Sequence, residues 1–84
     1  MKTAREILNQ IRWDDRLTAD SFAIGYYDRV EDEIVRVAFK EIQFPDDHHF
    51  LFEVVDEEGD LHSIPYHRVK EIYQNGRLIW HRNN

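Results

Sequence analysis

Four consecutive residues, Pro65-Tyr66-His67-Arg68, concentrate the chemistry of this sequence. Tyrosine brings a hydroxyl and a ring that can stack on a base. Histidine titrates near neutrality, and arginine forks onto two phosphate oxygens. The proline fixes the direction of the chain into them. In an extended strand Tyr66 and Arg68 share one face and His67 takes the other. The plainer account is that Tyr66 fills the core and Arg68 pairs with one of the many acids.

Other residues could join them. Arg12-Trp13-Asp14 and Trp80-His81-Arg82 each set a tryptophan close to an arginine, and Arg29 follows Tyr26-Tyr27 as a further anion contact. A small domain more often uses tryptophan as core than as a ligand platform. Catalysis has weaker support. The three glycines, Gly25, Gly59 and Gly76, are isolated and build no phosphate loop. No Ser or Thr is coupled to a base in a recognisable motif. His67 with His62 or His81 could supply the base and acid of phosphodiester chemistry, but the paired His-x-Thr/Ser motifs of 2H phosphoesterases are missing. Asp46-Asp47-His48-His49 is the densest group of metal-ligating types. Adjacent histidines entering a strand point to opposite faces, and the spacing is not that of a zinc site. A polar loop is the simpler reading, so neither a metal nor a cofactor is expected.

Charge and composition limit the partners. The 84 residues are 42% hydrophobic and 33% charged, a globular composition long enough for one core, so residues 1–84 are read as a single domain. The net charge of −6 is unevenly spread. Residues 1–30 carry five Lys/Arg against five Asp/Glu, residues 31–60 two against eleven, and residues 61–84 four against one. The acidic middle argues against a long nucleic-acid track and offers a surface to a basic protein partner. Cysteine is absent, which excludes disulfides and fits a cytoplasmic setting. No apolar run reaches the roughly 20 residues of a membrane span, and no secretion signal opens the chain.

Positioning falls to one helix and a set of strands. Thr3 and Glu6 have capping-box spacing, and Ala4, Ile7, Leu8 and Ile11 form one apolar stripe, predicting a helix that ends near Trp13. Alternation predicts strands over Phe22–Tyr27, with Phe22, Ile24 and Tyr26 on one face, and over Ile34–Ile42, with Val35, Val37 and Phe39 aligned. A third strand spans Phe50–Val55. The fourth spans Leu61–Tyr73 and is broken at Pro65, and the fifth spans Leu78–His81 after an Asn75-Gly76 hairpin turn. The expected fold is α+β: an N-terminal helix and a five-stranded antiparallel sheet, as an SH3/Sm-like barrel or a strongly bent sheet. An open sheet with the helix across one face is the alternative.

Four stretches resemble a known family. Arg5-Glu6-Ile7-Leu8-Asn9-Gln10-Ile11-Arg12-Trp13-Asp14 is similar to its opening motif and Tyr27-Asp28-Arg29 to its first-strand motif. The stretches Ile64-Pro65-Tyr66-His67-Arg68-Val69-Lys70-Glu71-Ile72 and Ile79-Trp80-His81-Arg82 are similar to its closing pair. This is the RNA cyclic-group end recognition domain family, a small archaeal-type domain. The resemblance implies a non-catalytic RNA-binding module that recognises 3′ termini carrying a 2′,3′-cyclic phosphate, in RNA processing or repair. Such domains occur alone or fused to RNA-processing enzymes, which makes a processing enzyme the expected protein partner. It implies RNA-end contacts from Arg12, Trp13, Asp14, Arg29, Tyr66, His67, Arg68, Trp80 and Arg82. Arg68 and Arg29 would grip the phosphate, His67 would donate to it, and Tyr66 or Trp80 would stack on the last base. Asp14 would orient Arg12 or contact a ribose hydroxyl. Two other readings compete: a protein-interaction or regulatory module using the acidic middle third, and a phosphodiesterase.

Overall fold

The expected capping box opens α1, Ala4–Trp13. Thr3 Oγ1 accepts from the Glu6 N–H at 3.2 Å, and Glu6 Oε1 accepts from the Thr3 N–H at 3.4 Å. These bonds satisfy two backbone donors that the first turn of a helix leaves free. The apolar stripe buries Ala4, Leu8 and Ile11, with Ile7 packed beside them. The helix ends as Asp14 turns extended while its N–H still reaches Gln10 O. The computed structural model describes residues 2–17, 20–47 and 50–82.

Six strands follow: β1 (Phe22–Asp28), β2 (Glu33–Ala38), β3 (Leu51–Val55), β4 (Leu61–Pro65), β5 (Val69–Gln74) and β6 (Arg77–His81). They form two antiparallel sheets, one ordered β2-β1-β5-β6 and one pairing β3 with β4. Alternation on β1 buries Phe22, Ile24 and Tyr26 as predicted. Val35, Val37 and Phe39 pack at the core margin, although β2 stops at Ala38 and Phe39 begins a short 3-10 turn. Ile42, Phe52, Val54, Ile64, Tyr66, Val69 and Ile72 complete the core. Asn75 and Gly76, at φ 52° and 82°, form the hairpin turn with both central residues left-handed, the geometry that favours this dipeptide.

The expectation of five strands and a barrel needs correction. The predicted strand Leu61–Tyr73 is two strands in different sheets, separated by a 3-10 turn over Tyr66–Arg68. Pro65 closes the β3–β4 ladder opposite Leu51, and the Tyr66 N–H then bonds to Phe50 O at 3.1 Å. Having no N–H of its own, Pro65 can end the ladder but not extend it. Val69 next pairs with Tyr26 of β1, so the break is also a change of sheet. Among the described residues the two sheets do not close into a barrel. No described helix is long and apolar enough to cross a membrane.

Candidate nucleic-acid interface

The 3-10 turn decides how Tyr66-His67-Arg68 is presented. With about three residues per turn, successive side chains leave it in three directions, so Tyr66 and Arg68 do not share a strand face. Tyr66 turns inward and is 9% exposed, its ring 5.5 Å from that of Phe52. Phe52 also meets the Tyr26 ring, at 6.4 Å, so an aromatic row crosses the core. His67 is exposed and Arg68 half-buried.

A groove of about 390 Å³ lies on one side of the turn. Arg29 from the β1–β2 turn and Arg68, 39 positions later, both line it, together with His62, Ser63 and Tyr27. Neither arginine forms an ion pair among the described residues. Asp28, Glu31 and Asp56 share the groove, but two of these carboxylates are already committed. Asp28 Oδ1 accepts from the N–H groups of Val30 and Glu31, at 2.9 and 3.2 Å. Asp56 Oδ1 accepts from Glu58 and Asp60, and its Oδ2 lies 2.6 Å from His62 Nε2. The His62 bond holds the Asp56 carboxyl below the usual carboxylate range, helped by the Asp60 N–H. In return Asp56 raises the His62 imidazole above its ordinary value. Tyr27 donates to Asp32, which pushes its phenol up.

A second groove, of about 400 Å³, lies across the turn, against α1. Arg5, Asn9, Arg12 and Trp13 line it from the helix, and Pro45, Asp46 and Tyr66 line it from the other side. Positions 5, 9 and 12 stand one and two turns apart on the same helix face. The Arg12 guanidinium lies over the Trp13 and Phe44 rings, 4.7 and 4.3 Å from their centroids, and that of Arg5 lies 5.2 Å from the Phe50 ring centroid. Stacking holds the planes while leaving their N–H edges available. Burial raises the Tyr66 phenol, with Arg12 and Arg5 pulling against it. Its hydroxyl therefore stays a neutral donor.

Of the nine residues assigned from the sequence, the first groove gathers Arg29 and Arg68 and the second Arg12, Trp13 and Tyr66. Asp14 does not orient Arg12. Its carboxylate takes Arg16 Nε and Nη2 at 3.0 and 2.9 Å, and these bonds lower its pKa. Trp80 sits opposite Ile72, packs on the core and donates its indole N–H to Lys2 O at 3.0 Å, pinning the start of α1. Arg82 stacks over Trp80 at 5.1 Å and lines a shallower groove with His81. His67 lines neither of the first two grooves. No three His, Asp or Glu side chains converge as a metal site among the described residues, and His48 and His49 of the loop considered for one lie outside them.

Residues 1–82 match the family model of the MJ1316 RNA cyclic group end recognition domain. The chain belongs to that family. The family carries an RNA-end recognition role in its description. No solved structure matches the chain.

Arg5 and Asn9 were not singled out from the sequence. The signal was present, since the helical period that reveals Ala4, Ile7, Leu8 and Ile11 also aligns Arg5, Asn9 and Arg12 along one flank of that stripe.

Proposed function

We propose that this member of the family binds RNA 3′ termini carrying a 2′,3′-cyclic phosphate, without turning them over, and seats the phosphate in the groove of Arg29 and Arg68. One observation carries the reading: two arginines far apart in sequence line one groove with no carboxylate paired to either. Each guanidinium can fork onto the non-bridging oxygens of a phosphate. His62, raised toward its cationic form, and the Ser63 hydroxyl add donors beside them. The acidic turns around the groove favour a single terminus over a long strand crossing it.

Binding is favoured over turnover because general acid–base chemistry needs two titratable groups converging on the reacting atoms. His62 is bonded to Asp56, His81 lines a different groove, and His67 lines neither the Arg29–Arg68 groove nor the groove against α1. A role in cytoplasmic RNA processing or repair, beside a processing enzyme, belongs to the same proposal.

The test is binding of one short oligoribonucleotide ending in 2′,3′-cyclic phosphate, 3′-phosphate or 3′-hydroxyl. The phosphorylated ends should bind more tightly than the hydroxyl end and should be recovered unchanged. Arg29→Ala or Arg68→Ala should each cost about 10- to 100-fold, the value of a charge-assisted hydrogen bond of about 1.5–3 kcal/mol. Equal or undetectable binding to all three ends overturns the reading.

A further inference from the structure

The groove against α1 has a composition that the terminal-phosphate seat does not use. Trp13 is 73% exposed and Phe50 is 76% exposed, unusual for rings of this size in a small domain. Neither is left as bare apolar surface, because Arg12 lies over Trp13 and Arg5 over Phe50. Arg5 and Arg12 form no ion pair among the described residues, and the groove they line carries one carboxylate, Asp46. Asn9 and the Tyr66 hydroxyl add donors and acceptors between them. Cations that can reach a phosphate backbone, an exposed indole and interspersed amide and hydroxyl groups are what a single-stranded nucleic acid engages.

The two grooves are also close along the chain. Ile64 and Arg68 line the first and Tyr66 the second, so the turn is the ridge between them. A strand leaving the first groove meets the acidic loops holding Asp28, Glu31 and Asp56 on one side. On the other side it meets the two unpaired arginines of α1.

We infer that the groove formed by Arg5, Asn9, Arg12, Trp13 and Tyr66 holds the single-stranded RNA immediately upstream of the terminus. Arg5 and Arg12 contact backbone phosphates and Trp13 stacks on an unpaired base. This rests on the terminal seat proposed above and extends the bound ligand from one terminal group to a short unpaired strand. The domain would then require a single-stranded overhang and would refuse a terminus held in a duplex, because a paired base offers no free face to Trp13.

The experiment compares a nucleoside 2′,3′-cyclic monophosphate with a six- to eight-nucleotide single strand bearing the same end. Wild type should bind the oligonucleotide at least about tenfold more tightly, with quenching of tryptophan emission. Trp13→Ala and Arg12→Ala should remove most of that advantage while leaving mononucleotide affinity unchanged, and Trp13→Phe should restore part of it. Removing either arginine should flatten the logarithmic salt dependence by roughly 0.7 per lost phosphate contact. Trp13 is exposed, so its variants should unfold at the wild-type temperature, which separates lost binding from lost fold. End-dependent binding that is indifferent to Trp13 and Arg12 overturns the inference and leaves the terminal seat standing. Weakening of the mononucleotide by the same factor places the terminus itself in this groove and also overturns it. Binding that ignores end chemistry removes the terminal seat, and the inference with it.

Discussion

Glu71 occupies the space that a side chain on Gly25 would need. A Cβ on Gly25 would stand 2.6 Å from Glu71 Oε1 and 2.9 Å from Ile34 Cγ2. The same Oε1 lies 3.2 Å from Arg36 Nε, within ion-pair range but without hydrogen-bond alignment. Gly25 of β1 pairs with Glu71 of β5 and Arg36 of β2, so the missing side chain lets an acid and a base close over the central strand. Gly25→Ala should therefore destabilise by about 1–3 kcal/mol, the usual cost of overpacking. The penalty should shrink in a Glu71→Ala background and not vanish, because Ile34 remains. Chemical denaturation of the four variants of this cycle measures the coupling. A penalty independent of residue 71 would disprove the steric account.

Phe52 ties the two grooves to one core. It is fully buried and touches Tyr26, which lines the Arg29–Arg68 groove, and Tyr66, which lines the α1 groove. Phe52→Ala should cost about 3–5 kcal/mol, a large share of the stability of so small a domain. Phe52→Leu should cost less and leave a folded protein that binds RNA ends more weakly, since both tyrosines lose the ring that locates them. Denaturant unfolding and end-binding measured together check this. A folded Phe52→Leu protein with full affinity would show that the grooves do not depend on the row.

The capping box makes a local and separate claim. Thr3→Ala should cost about 0.5–2 kcal/mol, with fraying of the first turn, while Thr3→Ser should be nearly neutral. Because Trp80 bonds to Lys2 O, that fraying should also change tryptophan emission. Thermal unfolding followed by circular dichroism and by fluorescence reads the two effects side by side.

These sites differ in how far the sequence alone reveals them. Thr3–Glu6 and Asn75-Gly76 are legible because their partners lie within a few residues, so local geometry settles them. The burial of Phe22, Ile24 and Tyr26 follows from alternation along one strand. Pro65 announces a break, but not that the chain then leaves β3 for β1, because strand pairing is a long-range choice. The shared face expected for Tyr66 and Arg68 fails for a related reason: a period-two pattern was read across a turn of period three. Asp14 turns to Arg16 because the helix ends at Trp13 and a short 3-10 turn, Asp15–Leu17, follows, which helical spacing cannot show. The meeting of Arg29 and Arg68 depends on the whole topology, and only the resemblance had put them together.

His62 and Asp56 give the terminal groove a pH dependence whose sign can be worked out. The His62 imidazole is raised by its bond to Asp56, so its part of the pair's stabilisation is complete below the unfolded value of about 6.5. That part fades as pH rises through the folded value. The Asp56 carboxyl is lowered, so its part is present above the unfolded value of about 3.8 and fades as pH falls through the folded one. The pair is fully formed between those limits. Both side chains are substantially exposed, so the effect on global stability should be slight. The effect on binding should be larger, since a cationic His62 beside Arg29 and Arg68 adds charge where the phosphate sits. Affinity for a cyclic-phosphate end should fall as pH rises through the raised His62 value. Asp56→Asn should move that fall to lower pH, and His62→Gln should flatten it. Proton NMR of the His62 ring, titrated with and without the oligonucleotide, should show the imidazole pKa rising further on binding. A ring that titrates identically in both would place His62 away from the phosphate and leave Arg29 and Arg68 to hold it alone.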